Sequence, residues 1–265
     1  MFKKKIFIPF YIFISFYLLF GFILFIFQNS FFYPADKTAF GDCPKLEKAE
    51  KIVSEDLRAY FVKRSSEKVV IYYHGNGGRA CDRHYMENFF EPLNYSVLYV
   101  EYPGYAEEGD TTMDKILNEV RLVDNFLKKQ SFKELVVIGE SVGTGPATYE
   151  ASLAGNNISK IILITPYNNM ASVAGFHFPL YPTNILVKNN FTPDEWLKNT
   201  NIPVTLILAE KDEVVGFEQG KSLSNSISSS NKIEYIVKGA GHNSIYSTKD
   251  FSSIFSKELT NGHSN

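Results

Sequence analysis

From about residue 52 the chain alternates short apolar runs with amphipathic stretches. "VVIYY" at Val69–Tyr73, "YSVLYV", "ELVVIGES", "KIILIT" and "VTLILA" are nearly continuous apolar runs, as expected of strands covered on both faces. "KIEYIV" reads as the last strand. Between them, a T-x-x-D signal at Thr111 and Asp114 opens a stretch that places Ile116, Val120, Val123 and Leu127 on one helical face. "GTGPATYEASLA" reads as the helix behind "ELVVIGES", and residues 247–260 read as a closing helix. Strands alternating with helices predict an α/β fold, a mostly parallel central sheet flanked by helices. The stretch from Thr165 to Pro203 breaks the alternation. It is rich in aromatics and prolines ("FHFPLYP", "DEWL") and is too long for a simple connection, so it reads as a small cap over the sheet edge.

The N-terminus has a different pattern. Residues 6–27, "IFIPFYIFISFYLLFGFILFIF", carry no charge and no polar face, and they match the ~20 residues needed to cross a bilayer core. Lys3, Lys4 and Lys5 precede the run and the next charge is Asp36, which puts the N-terminus in the cytoplasm and the rest on the exported side. A cleaved signal peptide, leaving a secreted protein, is the competing reading, but its apolar core would be shorter and followed by small residues. Here the run continues into "QNSFFYP", with Phe31, Phe32 and Tyr33 where an interfacial aromatic belt would lie. A single-pass anchor is therefore expected. The domain reading is an anchor at 1–30, a linker and lead-in at 31–50, and an α/β body at 51–262 with the cap at 165–203.

A length of 265 residues suits one α/β body, and a net charge of −2 gives no reason to expect a nucleic-acid partner. Nothing in the pattern indicates an oligomeric state. Cys43 and Cys81 could form one disulfide on the exported side, or remain free and buried in the cytoplasm; the charge asymmetry favours the bridge.

Candidate chemistry centres on "IGESVGTG" at Ile138–Gly145. A G-x-S-x-G segment between a strand and a helix is a nucleophile elbow: Ser141 projects from a tight turn, and Gly139 and Gly143 lie where the chain passes too close for a Cβ. A hydroxyl needs a base and a group to orient that base. Of five histidines, His263 lies in a polar tail, His84 in an expected surface helix and His177 in the cap. His74 is expected to hold the Gly-rich turn that it opens. His242, in "GAGHN" directly after the last strand, is the candidate base. "AEKDEVV" supplies the acid, with Asp212 favoured and Glu210 the competitor. In "HGNGG", Gly75 and its neighbours let the backbone approach a substrate oxygen. The N–H groups of Asn76 and Val142 are the candidate oxyanion donors. The loop lacks the Lys-Ser/Thr of a phosphate-cradling loop, and no cofactor or metal is expected.

With "YYHGNGG", "EYPGY", "GESVGTGPA", "TPYNN", "AEKDEVV" and "GAGHN" in place, the chain resembles the α/β-hydrolase superfamily. Within it, the chain resembles the membrane-anchored serine hydrolases that include depalmitoylase-type acyl-protein thioesterases and their bacterial relatives. The resemblance covers nearly everything after the anchor. It implies a Ser141–Asp212–His242 triad, Asn76 and Val142 as oxyanion donors, and an amphiphilic acyl ester or thioester substrate. Serine peptidase action and a non-catalytic binding module of the same fold are the rival expectations. One departure is that Tyr105 is followed by Ala106, Glu107 and Glu108 where relatives carry small residues, so substrate preference does not transfer.

Overall fold

The structure is a computed structural model, and it describes residues 7–54, 57–106, 109–153 and 157–260. Eight strands form one sheet: β1 (Glu50–Ser54), β2 (Leu57–Val62), β3 (Lys68–Tyr73), β4 (Ser96–Val100), β5 (Glu134–Glu140), β6 (Ile158–Ile164), β7 (Val204–Ala209) and β8 (Lys232–Val237). Their order is β1-β2-β4-β3-β5-β6-β7-β8. β2 runs antiparallel to β1 and β4, and all other pairings are parallel. The six expected strands are present. The β1–β2 pair was not anticipated, because "EKIVS" and "LRAYFV" are short and interrupted by charge.

The period-two geometry of strands distributes β3 between two cores. Val69, Ile71 and Tyr73 face one apolar cluster, while Val70 and Tyr72 face the other. Both faces are covered, so β3, β5 and β7 are buried almost throughout, whereas edge strand β8 is half exposed.

Helices α1 (Phe7–Phe32), α2 (Glu87–Phe90), α3 (Met113–Leu127), α4 (Thr144–Ser152), α5 (Met170–His177), α6 (Thr183–Leu186), α7 (Pro193–Leu197), α8 (Phe217–Ser226) and α9 (Lys249–Thr260) complete the body. The apolar face of α3 is buried as expected, but its cap is Thr112, whose hydroxyl accepts from the Lys115 N–H. Thr111 instead donates to the Pro103 carbonyl and closes the preceding turn.

The expected cap carries α5, α6 and α7, and α1 packs along it. The Tyr17 and Tyr181 rings stack at 4.5 Å, Tyr17 donates to the Leu180 carbonyl, and Tyr181 donates to the Tyr17 carbonyl. Lower down, Gln28 accepts from the Lys188 N–H, and Asn189 donates to Asn29. The other side of α1, including Phe13, Phe16 and Phe22, is exposed and apolar, and the helix is long and apolar enough to cross a membrane. Of the three aromatics expected at an interface, Phe31 is exposed at the end of α1. Tyr33 is buried in the main core, and Phe32 turns toward the sheet edge, because α1 continues to Phe32 and docks directly on the body. Lys3, Lys4 and Lys5 lie outside the described residues.

Cys43 and Cys81 form a disulfide with a Cα–Cα distance of 5.8 Å, tying the lead-in to the turn after the Gly-rich loop. It closes a sequence separation of 38 residues. Reduction is expected to destabilise the fold by about 4 kcal/mol through the restored freedom of the unfolded chain. In detergent micelles, melts with and without reductant should differ by roughly 10 °C.

Candidate active site

β5 ends at Glu140, and the chain turns at once into a 3₁₀ turn (Ser141–Gly143) that runs into α4. The turn is tight enough to hold Ser141 at φ 51°, a left-handed conformation that costs a non-glycine residue of order 1–3 kcal/mol. A Cβ on Gly143 would lie 2.1 Å from the Tyr73 carbonyl oxygen, and one on Gly139 would lie 2.6 Å from the Gly143 carbonyl oxygen. Gly143 is therefore required by the close packing of β3 against the elbow, and Gly139 by the elbow and the start of α4 folding back over the end of β5.

The other two predicted residues arrive from separate loops at the same edge of the sheet. His242 Nε2 lies 2.9 Å from Ser141 Oγ. Its Nδ1 lies 2.9 and 2.8 Å from the two Asp212 carboxylate oxygens. All three side chains are buried. The backbone N–H groups of Val214, Val215 and Gly216 donate to Asp212 Oδ1, which fixes the carboxylate. Burial alone would raise the Asp212 carboxyl. The hydrogen bond and charge of His242, with the Val215 and Gly216 N–H groups, outweigh burial and hold it below the ordinary value. An imidazole donating at Nδ1 to a carboxylate leaves Nε2 free to take a hydroxyl proton. Glu210 is exposed and accepts from the Gly239 N–H, so it takes no part in this contact.

Asn76 and Val142 line the same cavity as Ser141. The Asn76 side chain is pinned from two sides, accepting from the Tyr105 hydroxyl (2.6 Å) and donating to the Phe32 carbonyl at the end of α1. His74 is fully buried, with Nδ1 on the Gly75 carbonyl and Nε2 on Glu101, and it stacks on Tyr102 at 4.2 Å. His177 is exposed and contacts the Val214 carbonyl, while His84 sits half-buried in a 3₁₀ turn rather than on a surface helix. His263, Glu107 and Glu108 lie outside the described residues. Among the described residues, no group of three or more His, Cys, Asp or Glu could hold a metal ion.

No family model matches the chain. It is 26% identical over 229 residues to a lysophosphatidylserine lipase of Danio rerio, covering 76% of this chain and 60% of that protein. It is 24% identical over 188 residues to a putative alpha/beta hydrolase of Acanthamoeba polyphaga mimivirus, covering 68% of each. In three dimensions it matches an alpha-beta hydrolase from Vibrio vulnificus (TM-score 0.66, 21% identity, 82% of this chain and 81% of that one). It also matches an esterase from Pyrococcus furiosus (TM-score 0.63, 21% identity, 81% and 92%). The chain has the α/β-hydrolase fold and is similar in sequence to members of that superfamily. It spans about three-fifths of the length of the Danio rerio relative.

Within this fold, Ser141 stands at the junction of two cavities. One, about 270 Å³, is walled mainly by apolar side chains, including Phe31, Phe32, Met170 and Phe178. The other, about 660 Å³, is bordered by polar groups, including Arg83, Asn243 and Ser247. The hydroxyl thus faces a largely apolar compartment on one side and a compartment of mixed polar and apolar lining on the other.

Beneath the polar cavity lies a pair that motif reading passed over. Glu140, the variable residue before Ser141, is buried and accepts from Arg83 Nε (3.2 Å), Arg83 Nη2 (2.9 Å) and the Tyr72 hydroxyl (2.9 Å). Arg83 also donates to the carbonyls of Gly75, Asn76 and Gly77, so one guanidinium ties the elbow to the glycine loop. Burial by itself would raise the Glu140 carboxyl, but the Arg83 charge and hydrogen bonds, with Tyr72 and His74, outweigh it and keep the carboxyl below its usual value. Arg83→Met would leave that carboxylate buried and unpaired. A loss of about 3–5 kcal/mol is expected in denaturant titration. Adding Glu140→Gln, which removes the orphaned charge, should recover part of it.

Proposed function

We propose that this chain is a membrane-tethered serine hydrolase that cleaves carboxylic ester or thioester bonds of amphiphilic acyl substrates. The observation that carries the reading is the continuous contact from Ser141 Oγ through both nitrogens of His242 to Asp212. In this reading, His242 Nε2 takes the Ser141 proton as the oxygen attacks the acyl carbonyl, and Asp212 stabilises the imidazolium that forms. The N–H groups of Asn76 and Val142 hold the developing oxyanion. His242 then returns the proton to the departing alkoxide or thiolate, leaving an acyl-enzyme. Water, deprotonated by the same imidazole, attacks that intermediate and frees the acid.

The names lipase and esterase carried by relatives favour ester bonds over peptides. Tethering rests on α1, whose 26 residues extend ~39 Å, more than the ~30 Å hydrocarbon core. Export of the body rests on the lysines before α1 and on the Cys43–Cys81 bridge, which suits an oxidising compartment. A fluorophosphonate probe offered to the folded full-length protein should modify Ser141, read by mass spectrometry of the peptide that contains it. A folded protein whose Ser141 stays unmodified would remove the proposal.

A further inference from the structure

A second apolar cavity, about 60 Å³, lies in the seam between α1 and the cap. Gly21, Leu24 and Phe25 wall it from α1, and Tyr181, Leu186 and Val187 wall it from the cap. Phe31, Phe32, Ala174 and Phe178 line this cavity and the Ser141 cavity alike, so the two adjoin through one shared apolar wall. Between Gly21 and Phe32 the seam follows α1 for ~16 Å, close to the ~15 Å of a single leaflet's hydrocarbon layer. The cap beside it presents Leu180 and Ile185 to the outside at 75% and 77% exposure, and Phe176 is also exposed. Such residues are costly in water and at home in lipid. Because Leu180 and Tyr181 hold Tyr17, fifteen positions above Phe32, the cap tip extends along the part of α1 that a bilayer would cover.

We infer that the seam is the acyl route: the chain of a bilayer lipid ester enters sideways between α1 and the cap and reaches Ser141 while still within its leaflet. The inference rests on the tethered-hydrolase reading above and adds to it a substrate class, long-chain membrane lipid esters, and a direction of entry. α1 is then a wall of the binding site as well as a tether. The polar cavity beyond Ser141 receives the headgroup side of the ester, where Arg83 is already neutralised by Glu140.

The direct test uses the full-length protein with Ser141→Ala in phosphatidylcholine vesicles containing a lipid ester with a photoreactive diazirine near its acyl terminus. After illumination, labels are expected on the seam peptides, at Leu24, Phe25, Leu186 or Val187. Labelling confined to the outward positions of α1, such as Phe13, Phe16 and Phe22, would overturn the inference. Kinetics supply the second measurement. Leu24 lines the seam and is absent from the Ser141 cavity. Leu24→Trp in otherwise unchanged protein should lower hydrolysis of a hexadecanoyl ester by roughly tenfold or more while leaving an acetyl ester within about twofold. Equal rates with both esters, at wild-type level, would overturn the route and leave the Ser141 chemistry standing. If both rates fell together, the variant would be damaged as a whole and the photolabelling would decide. Wild-type protein that turned over neither ester would count against the hydrolase reading itself.

Discussion

Ser141→Ala is expected to lower kcat for a short-chain p-nitrophenyl ester by about a millionfold, with KM changed little. The side chain contributes one oxygen, and that oxygen makes a bond only as the reaction proceeds, so its removal leaves ground-state binding nearly intact. Residual turnover above the uncatalysed rate would come from the oxyanion donors and the apolar cavity acting on water. The fold should survive. Ser141 is held at φ 51° by the packing of Gly139 and Gly143, which the substitution leaves in place, and alanine adds no atom to the turn. A melting temperature within a few degrees of wild type, beside a collapsed rate, separates loss of a nucleophile from loss of structure. A fall of less than tenfold would mean that another group attacks the ester.

The elbow was legible because its constraint is local. A buried run ending in G-x-S-x-G and followed by a helix leaves few ways to fold, and the two glycines are explained by contacts within one turn of chain and one neighbouring strand. His242 and Asp212 were legible for a different reason. Each follows its own parallel strand, and parallel strands deliver all their C-terminal loops to one edge of the sheet. Glu140 carried no such signal. It occupies a position the motif leaves open, and its partner Arg83 comes from a turn whose place depends on the disulfide and on Glu101. The one-residue shift from Thr111 to Thr112 has a similar origin, since Thr111 was taken by the Pro103 carbonyl across the turn.

The docking of α1 on the cap was the least legible feature. Its inward face cannot be read from periodicity, because the helix is apolar all round and offers no polar stripe to orient it. The residues that choose the face are Tyr17, Gly21, Gln28 and Asn29, each meeting a partner some 160 positions away. Gly21 fits there because a Cβ would lie 2.6 Å from the Tyr181 ring. In a sequence, that glycine reads only as one more small residue in a membrane span.

Asp212→Asn should cost about four orders of magnitude in kcat while leaving the three side chains in place. The amide oxygen can keep the bonds from the Val214, Val215 and Gly216 N–H groups, which now converge on Oδ1. That turns the amide NH₂ toward His242 Nδ1, which must then accept rather than donate. The imidazole proton moves to Nε2, the nitrogen facing Ser141, and the base is lost without any displacement of atoms. Stability against pH gives an independent check. The folded carboxyl of Asp212 is depressed below its ordinary value, so on acidification the unfolded chain takes up this proton first. Its stabilisation is therefore complete above the unfolded carboxylate pKa of ~3.9 and is lost as pH falls through the lower folded value. Wild-type melts followed from neutral pH down past that point should show this loss, and the asparagine variant should lack that part of it. If the variant kept wild-type turnover, His242 would be oriented by some other group, and the assignment of Asp212 would fail even with Ser141 retained as nucleophile.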